Sequence, residues 1–487
     1  MKRSTILILA SLSILSISTY LLVSAFYFRT GFPLDDAWIH QTYARNLALT
    51  GKWAFLPGQL SGGSTSPLWT FLLSISYFFN IPPLFWTFGL GTLILGGSSF
   101  LAEMVVRQQI ATYRTIFPWV GCLVIFEWHL VWAALSGMET LLFSFLVVWV
   151  LLSLLNEKPK FLLIGILIGV GIWVRPDALT LLGPACMVGV LERSPIKKRI
   201  INLLKLLFGF LSLFTLYLLF NMAISGMPWP TTFYAKQAEY GTVLDYSILE
   251  RFGKLSIQFV VGAGVMLLPG FVLTTIDVII KKKLNILAGL IWLVSMVFIY
   301  AWRLPESYQH GRYLIPSMFV FFILSIIGLI NYFQKNSRSW SRILRKTWIL
   351  ATGLVLICFW RFGSLAYARD VAFIESEMVE TAKWVAKNLP EGSLLAAHDI
   401  GALGYFGNHK IIDLAGLISP EVIPFLHDEN QLKSYLDANN VKYLITFPGW
   451  YPLLIKGLPE IYTTLGQFAP ALGGENMVIY QWLDNPN

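Results

Sequence analysis

The run KRSTILILASLSILSISTYLLVSAFYF (residues 2–28) sets two cations ahead of an apolar stretch. A helix of about 24 such residues reaches about 36 Å, enough to cross a hydrocarbon layer about 30 Å thick. It is longer than a signal-peptide core, so it reads as an uncleaved first membrane helix. Apolar segments then recur at 84–106, 115–133, 139–155, 161–174, 178–191, 200–224, 256–280, 284–302, 313–333 and 347–367. The sum is about 11 spans. The short pair at 161–174 and 178–191 reads as a broken or re-entrant unit, and 67–79 as a helix lying at the interface.

Composition agrees. Of 487 residues, 56% are hydrophobic and only 13% charged, which excludes an ordinary soluble domain and indicates a polytopic α-helical membrane protein. The net charge of +9 is scattered over short loops and forms no basic stripe, so nucleic acid is not an expected partner. Cys122, Cys186 and Cys358 lie inside apolar runs without metal spacing and read as small core residues.

With the N-terminus in the cytoplasm, alternate loops collect Arg107 and Arg114, Lys158 and Lys160, Arg193 to Arg199, Lys281 to Lys283, and Lys335 to Lys346, Arg338 among them. That is the cytoplasmic bias of Lys and Arg. The opposite loops, 29–83 the longest, are richer in Trp, Tyr, Pro and Gly. Residues 1–369 are expected to form the membrane domain and 370–487 an extracytoplasmic α/β domain. In the latter, ARDVAFIESEMVETAKWVAKNLPEG (368–392) has helical periodicity, SLLAAH, HKIIDL, VKYLITF and NMVIYQW read as strands, and ENQLKSYLDANN as a helix.

The first outer loop holds LDDAWIHQTYARNLALTG (34–51). One acid suffices to cap a helix that Gly51 ends, yet there are two, with His40 one turn beyond Asp36. Two acids and an imidazole at a membrane border suit acid/base chemistry. The following FLPGQLSGGSTSPLW (55–69) reads either as a donor-rich nest, with Ser64 and Thr65 toward a substrate, or as a connector. Glu139 in SGMET, Arg175 and Asp177 in WVRPDA, Tyr234 and Lys236 in PWPTTFYAK, and His310 and Arg312 in YQHGRYLIP all border spans on the same side. Charges at such borders face cavities or one another.

These motifs together resemble the GT-C superfamily of bacterial membrane glycosyltransferases, most of all the branch holding the mycobacterial terminal arabinofuranosyltransferases. The resemblance implies transfer of a sugar from a polyprenyl-phosphate donor to a glycan, lipid or protein acceptor at the outer face, with inversion. It implies Asp35 or Asp36 as catalytic base, Asp35 favoured. His40, Arg45, Ser64, Thr65, Glu139, Arg175, Asp177, Tyr234, Lys236, His310 and Arg312 are then the expected substrate-binding residues, the cations for the lipid phosphate. No cofactor is required. A divalent ion on Asp35, Asp36 and His40 is the less favoured alternative, because adjacent acids on one helix point apart. The competing classes are a flippase of lipid-linked sugars, for which no repeated halves are visible, and a non-catalytic glycan-binding assembly protein.

Overall fold

The computed structural model describes residues 3–241, 246–335 and 339–482. Lys2 and Arg338 of the charge-bias reading, the centre of the 227–254 loop and the last residues of the C-terminal domain lie outside them.

Among the described residues, seven helices are long and apolar enough to cross a membrane. They are α1 (Arg3–Tyr27), α4 (Pro83–Gln109), α10 (Ile196–Ser225), α13 (Gly264–Lys281), α14 (Leu284–Arg303), α16 (Ile315–Lys335) and α17 (Ser339–Ile374), which continues past 374. The chain is an integral membrane protein. The expected count of about 11 spans is not reached by this criterion, and the local reasons are visible. The window at 115–133 is divided into α5 (Trp119–Phe126) and α6 (Trp128–Leu135), because the buried Glu127 carboxylate accepts Leu130 N–H at 3.1 Å and starts a new helix. The shorter apolar helices are α7 (Thr140–Leu154), α8 (Phe161–Val174) and α9 (Leu182–Leu191), the last joined to Arg175 by a 3₁₀ turn, Pro176–Leu181. α7 is only about 22 Å long and mostly buried by its neighbours.

Small residues let helices approach closely. A Cβ on Gly328 of α16 would collide with the Gly270 carbonyl of α13, and one on Gly270 with the Ser325 carbonyl. This crossing is the small-residue packing typical of apolar helix pairs.

The first loop folds as α2 (Asp36–Thr50) and α3 (Pro67–Phe78), an interfacial-length helix as expected for 67–79. Two further short helices, α11 (Thr231–Glu239) and α12 (Ile248–Ile257), follow α10, and a turn labelled α15 (Tyr308–Gly311) precedes α16.

α17 runs on through a π-helical segment, Glu375–Val379, into α18 (Glu380–Asn388), so the amphipathic helix read at 368–392 continues the last span rather than starting afresh. Beyond it stand β1 (Leu394–Ala397), α19 (Gly401–Phe406), β2 (Lys410–Asp413), α20 (Glu429–Ala438), β3 (Tyr443–Thr446), β4 (Glu460–Thr463), the turn α21 (Phe468–Ala471) and β5 (Val478–Gln481). The sheet order is β2-β1-β3-β5-β4, with β1 parallel to β2 and β3, and β5 antiparallel to β3 and β4. Four of the five strands and α20 fall where the sequence put them; β4 and α19 were not foreseen.

Candidate active site

α2 and α19 are matched end to end by charge. Asp35 precedes α2 and accepts the first two N–H groups of α19, Gly401 at 2.6 Å and Ala402 at 2.8 Å. Arg45, three turns along α2, donates to the α19 end carbonyls of Tyr405 at 2.6 Å and Gly404 at 3.2 Å. A carboxyl acceptor at a helix start and a cation at its end both satisfy backbone groups that the helix itself leaves free. Gly401 is required there, since a Cβ would collide with the Asp35 carbonyl. Asp35 and Arg45 therefore clamp the sheet domain to the first loop, and neither lines the cavity described next.

Asp36 is not in that lining either, but points elsewhere, onto two cations that are. Its Oδ2 accepts from Arg312 Nη2 at 2.7 Å and lies 3.6 Å from Lys236 Nζ. Arg312 and Lys236 also donate to the Tyr313 hydroxyl, at 3.0 and 3.1 Å. Burial opposes ionisation of Asp36, but the two cations outweigh it and hold its carboxyl well below the usual carboxylate range. Burial likewise raises Asp35, with Asp399 adding repulsion, and the pair sits above that range. The two adjacent acids are thus separated electrostatically as well as in space.

Arg312 is 2% exposed, and its Nε and Nη1 have no hydrogen-bond partner among the described residues. Such orphaned guanidinium donors are costly unless an anion meets them. They adjoin a cavity of about 360 Å³ whose lining includes Thr65, Glu139, Arg175, Asp177, Lys236 and Arg312. Arg175 reaches it because Pro176 forces the preceding residue out of helical geometry, ending α8 with Arg175 extended at φ −152° and ψ 136°. Its guanidinium is fixed by Asp177 Oδ2 at 2.8 Å and Tyr300 OH at 2.9 Å, with Glu139 Oε1 at 3.5 Å. His40 stands behind Glu139, its Nε2 at 3.5 Å from Oε2 and its Nδ1 within hydrogen-bonding distance of Thr70 and Ser64.

Arg312 is projected by a strained turn. Gln309 and His310 adopt left-handed φ of 53° and 59°, a conformation disfavoured for both. His310 is held by Asp370 Oδ2 at 2.8 Å and stands edge-on to Trp128 and Trp132. It anchors the turn and does not line the cavity. Tyr234 does not line it either and packs on Phe233. The Gly/Ser loop is a packed junction: Thr232 Oγ1 donates to Gly63 O at 2.7 Å, Gly63 N–H donates to Tyr43 OH at 2.9 Å, and only Thr65 of the loop reaches the lining. Asp35, Asp36 and His40 face three different sets of partners, so they do not converge on one ion.

The sequence reading missed Tyr300, Trp229 and Thr232 in the lining. Tyr300 lay within an apolar run and carried no signal beyond its hydroxyl; Trp229 and Thr232 stood inside a motif that had been noted only for Tyr234 and Lys236.

A family model described as a domain of unknown function, DUF8728, matches residues 368–480. No curated protein matches the chain. Among solved structures, ArnT from Cupriavidus metallidurans bound to undecaprenyl phosphate is 14% identical over 97% of this chain and 99% of its own, with a TM-score of 0.52. The Archaeoglobus fulgidus oligosaccharyltransferase in its apo form is 11% identical over 91% of this chain and 69% of its own, with a TM-score of 0.59. The same organism's oligosaccharyltransferase AglB, in complex with an inhibitory peptide and a dolichol-phosphate, is 12% identical over 89% and 69%, at 0.50. None of these likenesses supports the arabinofuranosyltransferase branch. From its first helix to its C-terminal sheet the chain has the GT-C fold.

Proposed function

We propose that the protein is a membrane glycosyltransferase that moves a sugar from a polyprenyl-phosphate donor to a hydroxyl of a cell-envelope glycan, lipid or protein. The observation that carries this reading is the cavity with Arg175, Lys236 and Arg312 in its lining, which shares Ile299 with an apolar groove of about 640 Å³ between α12 and α14. A charged head beside an apolar track suits a phosphate on a long hydrocarbon tail. The fold likeness to ArnT, itself solved with undecaprenyl phosphate, adds to it.

In this reading the acceptor oxygen attacks the anomeric carbon as the bond to the phosphate oxygen breaks. The electron pair leaves with the phosphate, the acceptor proton passes to a carboxylate, and the sugar inverts. Arg312 and Lys236 meet the growing negative charge. Asp36 takes the proton. In the free protein it is too weak a base, but a donor phosphate competes for Arg312 and Lys236 and thereby raises its proton affinity when the acceptor must be activated. Arg175, fixed by Asp177 and Tyr300, and Glu139 orient the donor, and His40 and Ser64 hold Glu139 and its surroundings. Asp35, favoured from the resemblance as the base, serves in this reading as the clamp for the sheet domain. No step is assigned to a metal. The N-terminus is cytoplasmic, with the cavity and the C-terminal domain outside, in keeping with the Lys and Arg bias of the loops.

Binding of undecaprenyl phosphate to the full chain, followed by native mass spectrometry, tests the reading. Arg312→Ala should weaken it about tenfold or more, as expected for lost charged hydrogen bonds. Equal binding by wild type and variant would exclude this cavity as the phosphate site.

A further inference from the structure

A second cleft, of about 350 Å³, lies between α11 and the sheet domain, lined by Glu239, His398, His427, Glu429, Trp450 and Tyr451 among others. His398 follows β1, and Trp450 and Tyr451 follow β3, so its floor is formed at the carboxyl ends of two adjacent parallel strands. Ligands collect at that edge of parallel sheets, where loops diverge.

The walls are tied to each other. His398 Nδ1 and the Tyr451 hydroxyl are 2.8 Å apart, and His398 Nε2 lies 3.6 Å from Glu239 Oε1 of α11. His427 Nε2 donates to the Ala238 carbonyl at 3.0 Å. Trp450 stands at 78° to the His398 ring yet remains 47% exposed, so much of its indole is open. Asp399, next to His398, has a buried Oδ2 without a hydrogen-bond partner among the described residues, and its carboxyl is close enough to Asp36 for the two to repel. Finally, Lys236 of the donor cavity and Glu239 of this cleft are one turn apart on α11, about 4.5 Å along its axis.

We propose that this cleft is the acceptor subsite and that it takes a sugar unit of a glycan. An indole face packs on the C–H face of a pyranose or furanose, and carboxylates with imidazoles pair with its hydroxyls, which both donate and accept. An extended peptide would instead seek an unpaired strand edge, and the cleft lies at the ends of β1 and β3, both of which are paired on each side. The proposal rests on the donor reading above, because the adjoining cavity supplies the sugar to be transferred. Asp399 follows His398 of the cleft and Asp36 pairs with Arg312 and Lys236 of the cavity, so the repulsion between the two acids links the two sites.

Saturation-transfer-difference NMR on the full chain in nanodiscs tests this, with methyl glycosides of glucose, galactose, mannose and arabinose as probes. At least one should bind. Trp450→Ala should weaken it about fivefold to tenfold, and Trp450→Phe should restore most of the affinity. The proposal is overturned if no glycoside binds, if Trp450→Ala binds as wild type does, or if a serine-containing hexapeptide displaces the glycoside competitively. Undecaprenyl phosphate binding is measured on the same samples. Its absence with glycosides still held by the cleft would sink the donor reading alone, whereas intact lipid binding with no glycoside binding would sink the cleft alone.

Discussion

Asp36→Asn keeps an oxygen for Arg312 but removes the proton acceptor and the charge that balances Arg312 and Lys236, so transfer per folded molecule should fall by about 10²–10⁴-fold and the melting temperature should fall as well. Asp35→Asn weakens one of two hydrogen bonds to α19 and should lower stability by about 1–3 kcal/mol with transfer per folded molecule largely kept. Turnover and thermal melts on both variants separate the roles. A pH effect accompanies them. Burial raises both Asp35 and Asp399, and Asp399 adds repulsion at Asp35. For acids whose folded pKa is raised, the stabilisation is complete below the unfolded value near ~4 and is lost as pH rises through the folded values. The wild-type melting temperature should therefore fall from pH 5 to 8 more steeply than that of Asp399→Asn; parallel profiles would refute the coupling. At this scale, Thr65, Glu139, Arg175, Asp177, Lys236 and Arg312 were legible because a charged or polar residue bordering an apolar run needs a polar outlet. Asp35, Arg45 and His310 carried the same signal and meet partners outside the cavity lining, since the sequence does not show which partner a charge will meet.

Helices and strands were legible where a single face repeats. The last span and α18 both showed as helix, but the absence of a break between them did not, because no Gly or Pro decision separates residues 368 and 388. α19, six residues long, is held by the α2 charges at its ends rather than by its own propensity, which is why it escaped notice. Averaging over a window likewise hid the break at Glu127 between α5 and α6. The α13–α16 crossing provides a test of packing. Gly328→Leu should destabilise the chain by about 1–3 kcal/mol through overpacking, read as a lower melting temperature in detergent. Gly353→Leu, in a position on α17 with open space around it, should change little.

Across the whole molecule, the polar cavity sits where the 3₁₀ turn after α8, α11, α14 and the Arg312 turn meet, and the sheet domain packs on the first loop through α2 and α19. The membrane class and the C-terminal α/β unit followed from composition and periodicity; how the first loop, α11 and the sheet domain meet is a tertiary property that spacing alone does not encode. The central claim, that this cavity breaks a lipid-phosphate sugar bond, is tested most directly by incubating the purified full-length protein in nanodiscs with a panel of polyprenyl-phosphate sugars and following donor cleavage by mass spectrometry. Release of polyprenyl phosphate from at least one donor, abolished by Arg312→Ala and by Asp36→Asn, is the expected result. Intact donors throughout, with a folded protein that instead carries them across a liposome membrane, would contradict it.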